Sequence, residues 1–158
     1  MWTGLVHLSI PPKYLPGRFG RIITVVFRNL FSRQNALTGA PAVRRIKTYS
    51  AQSGFVYRYY YQGHRPFRQG GAAATEFVFG VSADRRAWGP VGIRIAASAV
   101  AAWEKSHQRE LSVTEVYALA KMALFQAFDE QSNPAHMRGA AAVSEADIEA
   151  IASTLGFE

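Results

Sequence analysis

Apolar residues recur along this chain with two spacings, and the change from one to the other falls near Ala96. Before it, alternation dominates. Phe55, Tyr57, Tyr59 and Tyr61 share one face of FVYRYYY, with Val56, Arg58 and Tyr60 on the other. A period of two predicts a β-strand, and the aromatic content favours one. Residues 75–82 repeat the pattern, with Phe77, Phe79 and Val81 opposite Glu76, Val78 and Gly80. Val91, Ile93 and Ile95 then alternate with Gly92 and Arg94. Residues 62–74, containing Gly63, Pro66 and Gly70-Gly71, read as a flexible loop. Such strands and connections predict an antiparallel meander whose aliphatic and phenylalanine face packs inward. Arg58, Glu76 and Arg94 then fall on the outer face as a solvated charge row that contributes little.

After Ala96 the spacing becomes helical. Ser98 is the expected N-cap of a first helix reaching about Gln108, with Val100, Trp103 and His107 along one side. Residues 111–130 form the best-specified helix. Ser112 and Glu115 stand at capping-box spacing, and Leu111 and Val116 flank them as a hydrophobic staple. On a helical wheel, Val113, Val116, Tyr117, Ala120, Ala123, Leu124, Ala127 and Phe128 fall in one arc. Leu119, Met122 and Phe125 fall outside it. Leaving these three in water would forgo about 1.5–3 kcal/mol each, so the helix needs a second cover. That cover is either the last helix of the chain or a second copy meeting Leu119, Met122 and Phe125 in a homodimer. Asn133-Pro134 ends the helix, and residues 135–142 carry no firm signal. In the last helix Ser144 and Asp147 repeat the box, Val143 and Ile148 the staple, and Gly156 supplies a left-handed cap.

The N-terminal third differs. Pro11, Pro12 and Pro16 block a helix or central strand over residues 1–17. From residue 19 to 31, Phe19, Ile22, Ile23, Val26, Phe27, Leu30 and Phe31 form an apolar stripe with Arg18, Arg21 and Arg28 off it. A basic amphipathic helix of this kind suits an anionic membrane surface or a partner's groove. The segment IITVVF reads equally as a buried strand. An acid-free, Arg- and Pro-rich leader is also what translation upstream of a true start produces, with Val43 as the alternative start. Arg28 and Arg33 argue against a secretory signal. Residues 32–45 read as a linker, and the compact domain is expected over residues 46–158, with residues 1–45 as a basic arm.

Composition narrows the function classes. At 158 residues and 49% hydrophobic, the chain fits one domain with an ample core. The absence of cysteine excludes disulfides, thiolate zinc sites and cysteine nucleophiles, and fits a cytoplasmic protein. No apolar run approaches the roughly 18–20 residues that span a bilayer. The net charge of +7 is unevenly placed: residues 1–75 carry eleven Lys or Arg and no acid, residues 76–158 seven bases and eleven acids. A basic half of this kind suits nucleic acid or an anionic membrane surface.

Chemistry-bearing residues are sparse. Arg58, Tyr60, His64, Arg65 and Arg68 are the candidate contacts, since exposed tyrosines can stack bases while arginines meet phosphates. The same tyrosines also fit a half-buried core with hydroxyls at the rim. Gly54-Phe55-Val56 resembles the start of the RNA-recognition signature, but Arg58 stands where that motif requires an aromatic residue. His7, His64, His107 and His136 lack metal-ligand spacing, and only His64, beside Arg65 in the expected loop, is placed for acid–base work on an anion. Glu115 and Asp129-Glu130 are explained by helix capping and termination. Phosphate loops and nucleophile elbows are absent, so no cofactor, metal or catalytic residue is implied.

The expected protein is therefore α+β: a small antiparallel meander of three or four strands, two to three C-terminal helices on one face, and a basic N-terminal arm. Its expected role is a non-enzymatic binding or protein-interaction module of a bacterial cytoplasm. The alternatives are a nucleic-acid-binding protein using the basic part and the Tyr/Arg strand, an enzyme acting on an anion at His64–Arg65, and a peripheral membrane protein.

Overall fold

The computed structural model describes residues 35–157, and the readings made for residues 1–34 lie outside them. The chain is α+β, with one five-stranded sheet and three helices. β1 (Lys47–Ser50), β2 (Val56–Gln69), β3 (Ala72–Ser82) and β4 (Gly89–Ala96) are antiparallel neighbours in chain order. α1 (Ala97–His107) and α2 (Val113–Glu130) follow. β5 (Gly139–Val143) then adds to β4 in parallel, and α3 (Glu145–Leu155) closes the fold. The sheet is thus larger than the expected meander and mixed rather than antiparallel. β5 escapes sequence reading because GAAAV holds little β-branched or aromatic character. Its strand state comes from backbone pairing with β4, reached through the helical crossover that a parallel neighbour requires.

The expected loop over residues 62–74 is instead a long hairpin. β2 runs to Gln69 and β3 starts at Ala72, with Gly70 and Gly71 turning at φ +57° and +86°. Pro66 is tolerated because β2 is near the edge here: two residues earlier, the His64 N–H and carbonyl both pair with Thr38, at 2.8 Å each. Asn35 Nδ2 donates to the Pro66 carbonyl at 3.4 Å. Residues in the expected linker therefore run beside β2.

Both capping boxes form. The Ser112 side chain accepts from the Glu115 N–H while the Glu115 carboxylate accepts from Ser112 N, and Ser144 and Asp147 do the same for α3. Gly156 takes the left-handed cap at φ +71°. α1 departs from expectation. β4 extends through Ala96, paired with Ala74, and the helix begins at the next residue, so Ser98 lies inside the first turn and Ala96 is an N-cap without a side-chain bond.

The core lies between the helices and the sheet face carrying Tyr57, Tyr59, Phe77, Phe79, Ile93 and Ile95. Tyr57 stacks on Phe128 at 4.2 Å and 7°, and Tyr49 on Phe125 at 4.2 Å and 13°. Leu119 is fully buried, while Met122 and Phe125 are half-buried against the same core. All three therefore pack against the chain's own core, Met122 and Phe125 only in part. No helix among the described residues is long and apolar enough to cross a membrane.

Candidate functional site

A β-bulge decides where the candidate residues point. The β2–β3 register slips between Tyr61 and Gly63, and Gly63 sits at φ +134°. A Cβ on Gly63 would lie 2.6 Å from the Thr38 carbonyl oxygen, so the close approach of that backbone requires glycine. Strand side chains alternate, so one extra residue inverts every later position. Tyr59 and Tyr61 face the helices before the bulge. After it, His64 faces the helices opposite Phe77, and Arg65 faces away opposite Glu76. The adjacent pair His64 and Arg65 thus serves two different faces.

On the helix side, the chain between Thr38 and Lys47 bulges away from β2 and leaves a pocket of about 630 Å³ at the sheet edge. Tyr59, Tyr61, His64 and Phe77 line its floor, and Tyr117 with Val113 from the start of α2 forms one wall. Gly39, Pro41 and Val43 form the opposite wall. Gly39, at φ +69°, permits the wall to close on the imidazole, since a Cβ there would lie 2.7 Å from His64 Cε1. Val43 and Val113 are 65% and 78% exposed, leaving apolar surface at the mouth.

The pocket's polar groups have ordered roles. Tyr61 Oη and His64 Nδ1 lie 2.9 Å apart. Burial first, and then Tyr117, pushes the Tyr61 phenol up to about 12, so it keeps its proton at ordinary pH. This hydrogen bond fixes the orientation of the imidazole, with either the Tyr61 hydroxyl or Nδ1–H able to donate. Burial raises Tyr59 and Tyr117 in the same direction. Arg45 and Lys47 line the pocket, and neither has a carboxylate partner among the described residues. Lys121 is lowered from its usual range by burial and by the charge of Lys47. The lining holds no carboxylate.

The outer face carries Arg58, Tyr60 and Arg65. The observed charge row is Arg65, Glu76 and Arg94, not the expected row through Arg58, which pairs across to Ser82. Arg65 Nε donates to Glu76 Oε2 at 2.7 Å, and Arg94 Nε to Oε1 at 2.8 Å. This row is not a solvated feature: the Glu76 side chain is only 4% exposed. Its carboxylate lies over Gly92, where a Cβ would come within 2.8 Å, and Arg94 lies 3.8 Å over the Phe67 ring. Tyr60 likewise lies flat over Gly80, with a hypothetical Cβ 2.4 Å from its ring. Arg68, at the hairpin tip, donates to the Gly71 carbonyl at 3.0 Å.

Two further carboxylates are engaged elsewhere. Glu104 accepts from the Leu111 N–H at 2.8 Å, and Asp129 from Tyr49 at 2.9 Å and the Gln52 N–H at 2.8 Å. No group of three His, Asp or Glu among the described residues is placed to hold a metal ion. Sequence reasoning marked His64 but missed Tyr61, Tyr117, Arg45 and Lys47 as its neighbours. The bulge signal, an isolated Gly63 in β-prone sequence, is present but suits a loop equally well. Comparison with family models, curated proteins and solved structures finds no match for this chain.

Proposed function

We propose that this protein is a non-enzymatic binding module that receives a small ligand in the edge pocket. The ligand's planar apolar part lies among Tyr59, Tyr61, Phe77 and Tyr117, and its anionic group meets Arg45 and Lys47. The observation that carries this reading is the pairing of an aromatic floor with cations that lack carboxylate partners among the described residues. Pocket size and lining match small-molecule sites, where apolar walls supply affinity and a few polar groups fix orientation. His64, oriented by Tyr61, adds one polar group to the pocket. The lining lacks the carboxylate or activated nucleophile that would pair with His64 in acid–base or covalent catalysis, which favours binding over turnover.

An anionic aromatic dye, anilinonaphthalene sulfonate, tests the reading directly. The expected result is saturable binding that weakens when Arg45→Glu and Lys47→Glu are combined, with an unchanged near-UV circular dichroism spectrum. Absence of saturable binding, or binding indifferent to that charge reversal, would overturn it.

A further inference from the structure

The two layers of the fold carry opposite charge. The sheet layer, residues 44–96 with Arg138, holds ten Arg or Lys against Glu76 and Asp84. The helices and their connections, residues 97–137 and 144–157, hold three bases against eight acids. Both sheet-layer acids are engaged within the fold. Glu76 is closed between Arg65 and Arg94. Asp84 accepts from the Arg86 and Ala87 backbone N–H groups at 2.9 Å each.

On the outer sheet face, arginines and aromatic rings interleave. Arg44 lies 4.3 Å over the Tyr60 ring, Tyr60 and Trp88 are 5.1 Å apart, and Arg58 lies 5.8 Å over Trp88. Arg44 and Arg58 have no carboxylate partner among the described residues. A guanidinium stacked on a ring keeps its N–H edges directed outward, where phosphate oxygens can be held. Trp88 is 38% exposed, so part of the indole is open to a further stacking partner. Gly80 sets the geometry, because only a residue without Cβ lets Tyr60 lie flat against the sheet.

We infer that this face binds single-stranded nucleic acid, with Arg44 and Arg58 meeting the phosphates and Trp88 stacking on a base. Single-stranded binders combine these two elements, a basic track and aromatic platforms that accept any base. A lipid surface would use the charge but has no need of an Arg–Tyr–Trp–Arg interleaving. The inference rests on Arg44, Arg58 and Trp88, none of which lines the pocket, although Tyr60 borders both.

Fluorescence anisotropy of the full chain with a labelled oligothymidylate tests it. Binding should weaken linearly in log–log form with salt. Replacing Arg44 and Arg58 together by Ala should lower that slope by about 1.4, at roughly 0.7 per phosphate contact on single strands. Trp88→Ala should weaken binding about five-fold or more with little change of slope. Arg58→Lys, which keeps the charge, should retain the slope. Circular dichroism of each variant establishes that it is folded. Three outcomes would overturn the proposal: no binding at low salt, a slope unchanged in the double variant, or capture by anionic phosphatidylserine vesicles without oligonucleotide binding. An unchanged slope would assign the phosphate contacts to other basic residues of the chain instead. Equal affinity for duplex of the same length would overturn the stacking role of Trp88.

Discussion

The inner face of the sheet meets the helices through rings, with Tyr57 on Phe128 and Tyr49 on Phe125, and its strands contribute Phe77, Phe79, Ile93 and Ile95 to the same core. The outer face of the same strands is held by Glu76 between two arginines and by Tyr60 lying on Gly80. The inner face needs volume and apolar area, which many side chains can supply. The outer face needs particular atoms at particular places, including two positions where a Cβ is missing. One face is therefore robust in composition, and the other is specific in register.

The largest effects should come from breaking each face at its centre and asking whether the losses add. Phe128→Ala removes a fully buried ring and should cost about 3–5 kcal/mol in urea unfolding. Glu76→Ala should cost about 3 kcal/mol, because two arginines lose the buried carboxylate between them. Across the sheet the two losses should add to within about 0.5 kcal/mol, whereas Glu76→Ala and Arg65→Ala should be strongly coupled. Coupling between Phe128 and Glu76 as large as that within the ion cluster would erase the distinction between faces.

Tyr49 and Tyr57 sharpen the inner face at smaller scale. Both rings pack on α2, but only Tyr49 has a hydrogen bond, to Asp129 at 2.9 Å. The Tyr57 hydroxyl is buried with no partner among the described residues. Tyr49→Phe should therefore destabilise by about 1 kcal/mol and Tyr57→Phe should be neutral or stabilising by about the same amount. Chemical denaturation of the two variants gives the signs, and equal losses would show that Tyr57 has a partner in solution.

These differences also explain what could be read from the chain. The alternation from Val56 to Tyr61, the helical spacing of α2 and the two capping boxes are local patterns, and each appears where it was expected. α+β was legible for that reason. β5 was not, since its alanines carry no preference that competes with a loop until β4 offers a pairing edge. The long hairpin was hidden because Gly63 and Pro66 break patterns in isolation but fit a bulged strand near a sheet edge. The same bulge separates His64 from Arg65, so a site imagined from their adjacency divides into a pocket residue and an ion-pair residue. The Glu76 cluster joins positions 11 and 18 residues apart, a juxtaposition that only register creates.

The smallest effect is expected at the feature most plainly written in the sequence. Glu115 closes the α2 capping box and also receives Arg109, at 2.7 Å to Oε1. Arg109 first, and then the Ser112 backbone and hydroxyl, lower its carboxyl from the ordinary 4.5 to about 2. The unfolded chain therefore takes up this proton at higher pH than the folded one. The stabilisation is complete above about pH 4.5 and disappears as pH falls toward about 2. Glu115→Gln should lower the melting temperature slightly near neutrality, and the gap to the parent chain should close on acidification through that window. The pair lies at the surface, with the Glu115 side chain 24% exposed, so added salt should shrink the gap as well. A gap that persists at pH 2 would mean that Glu115 acts through its packing or its neutral hydrogen bonds, leaving the helix start less dependent on charge than the outer sheet face.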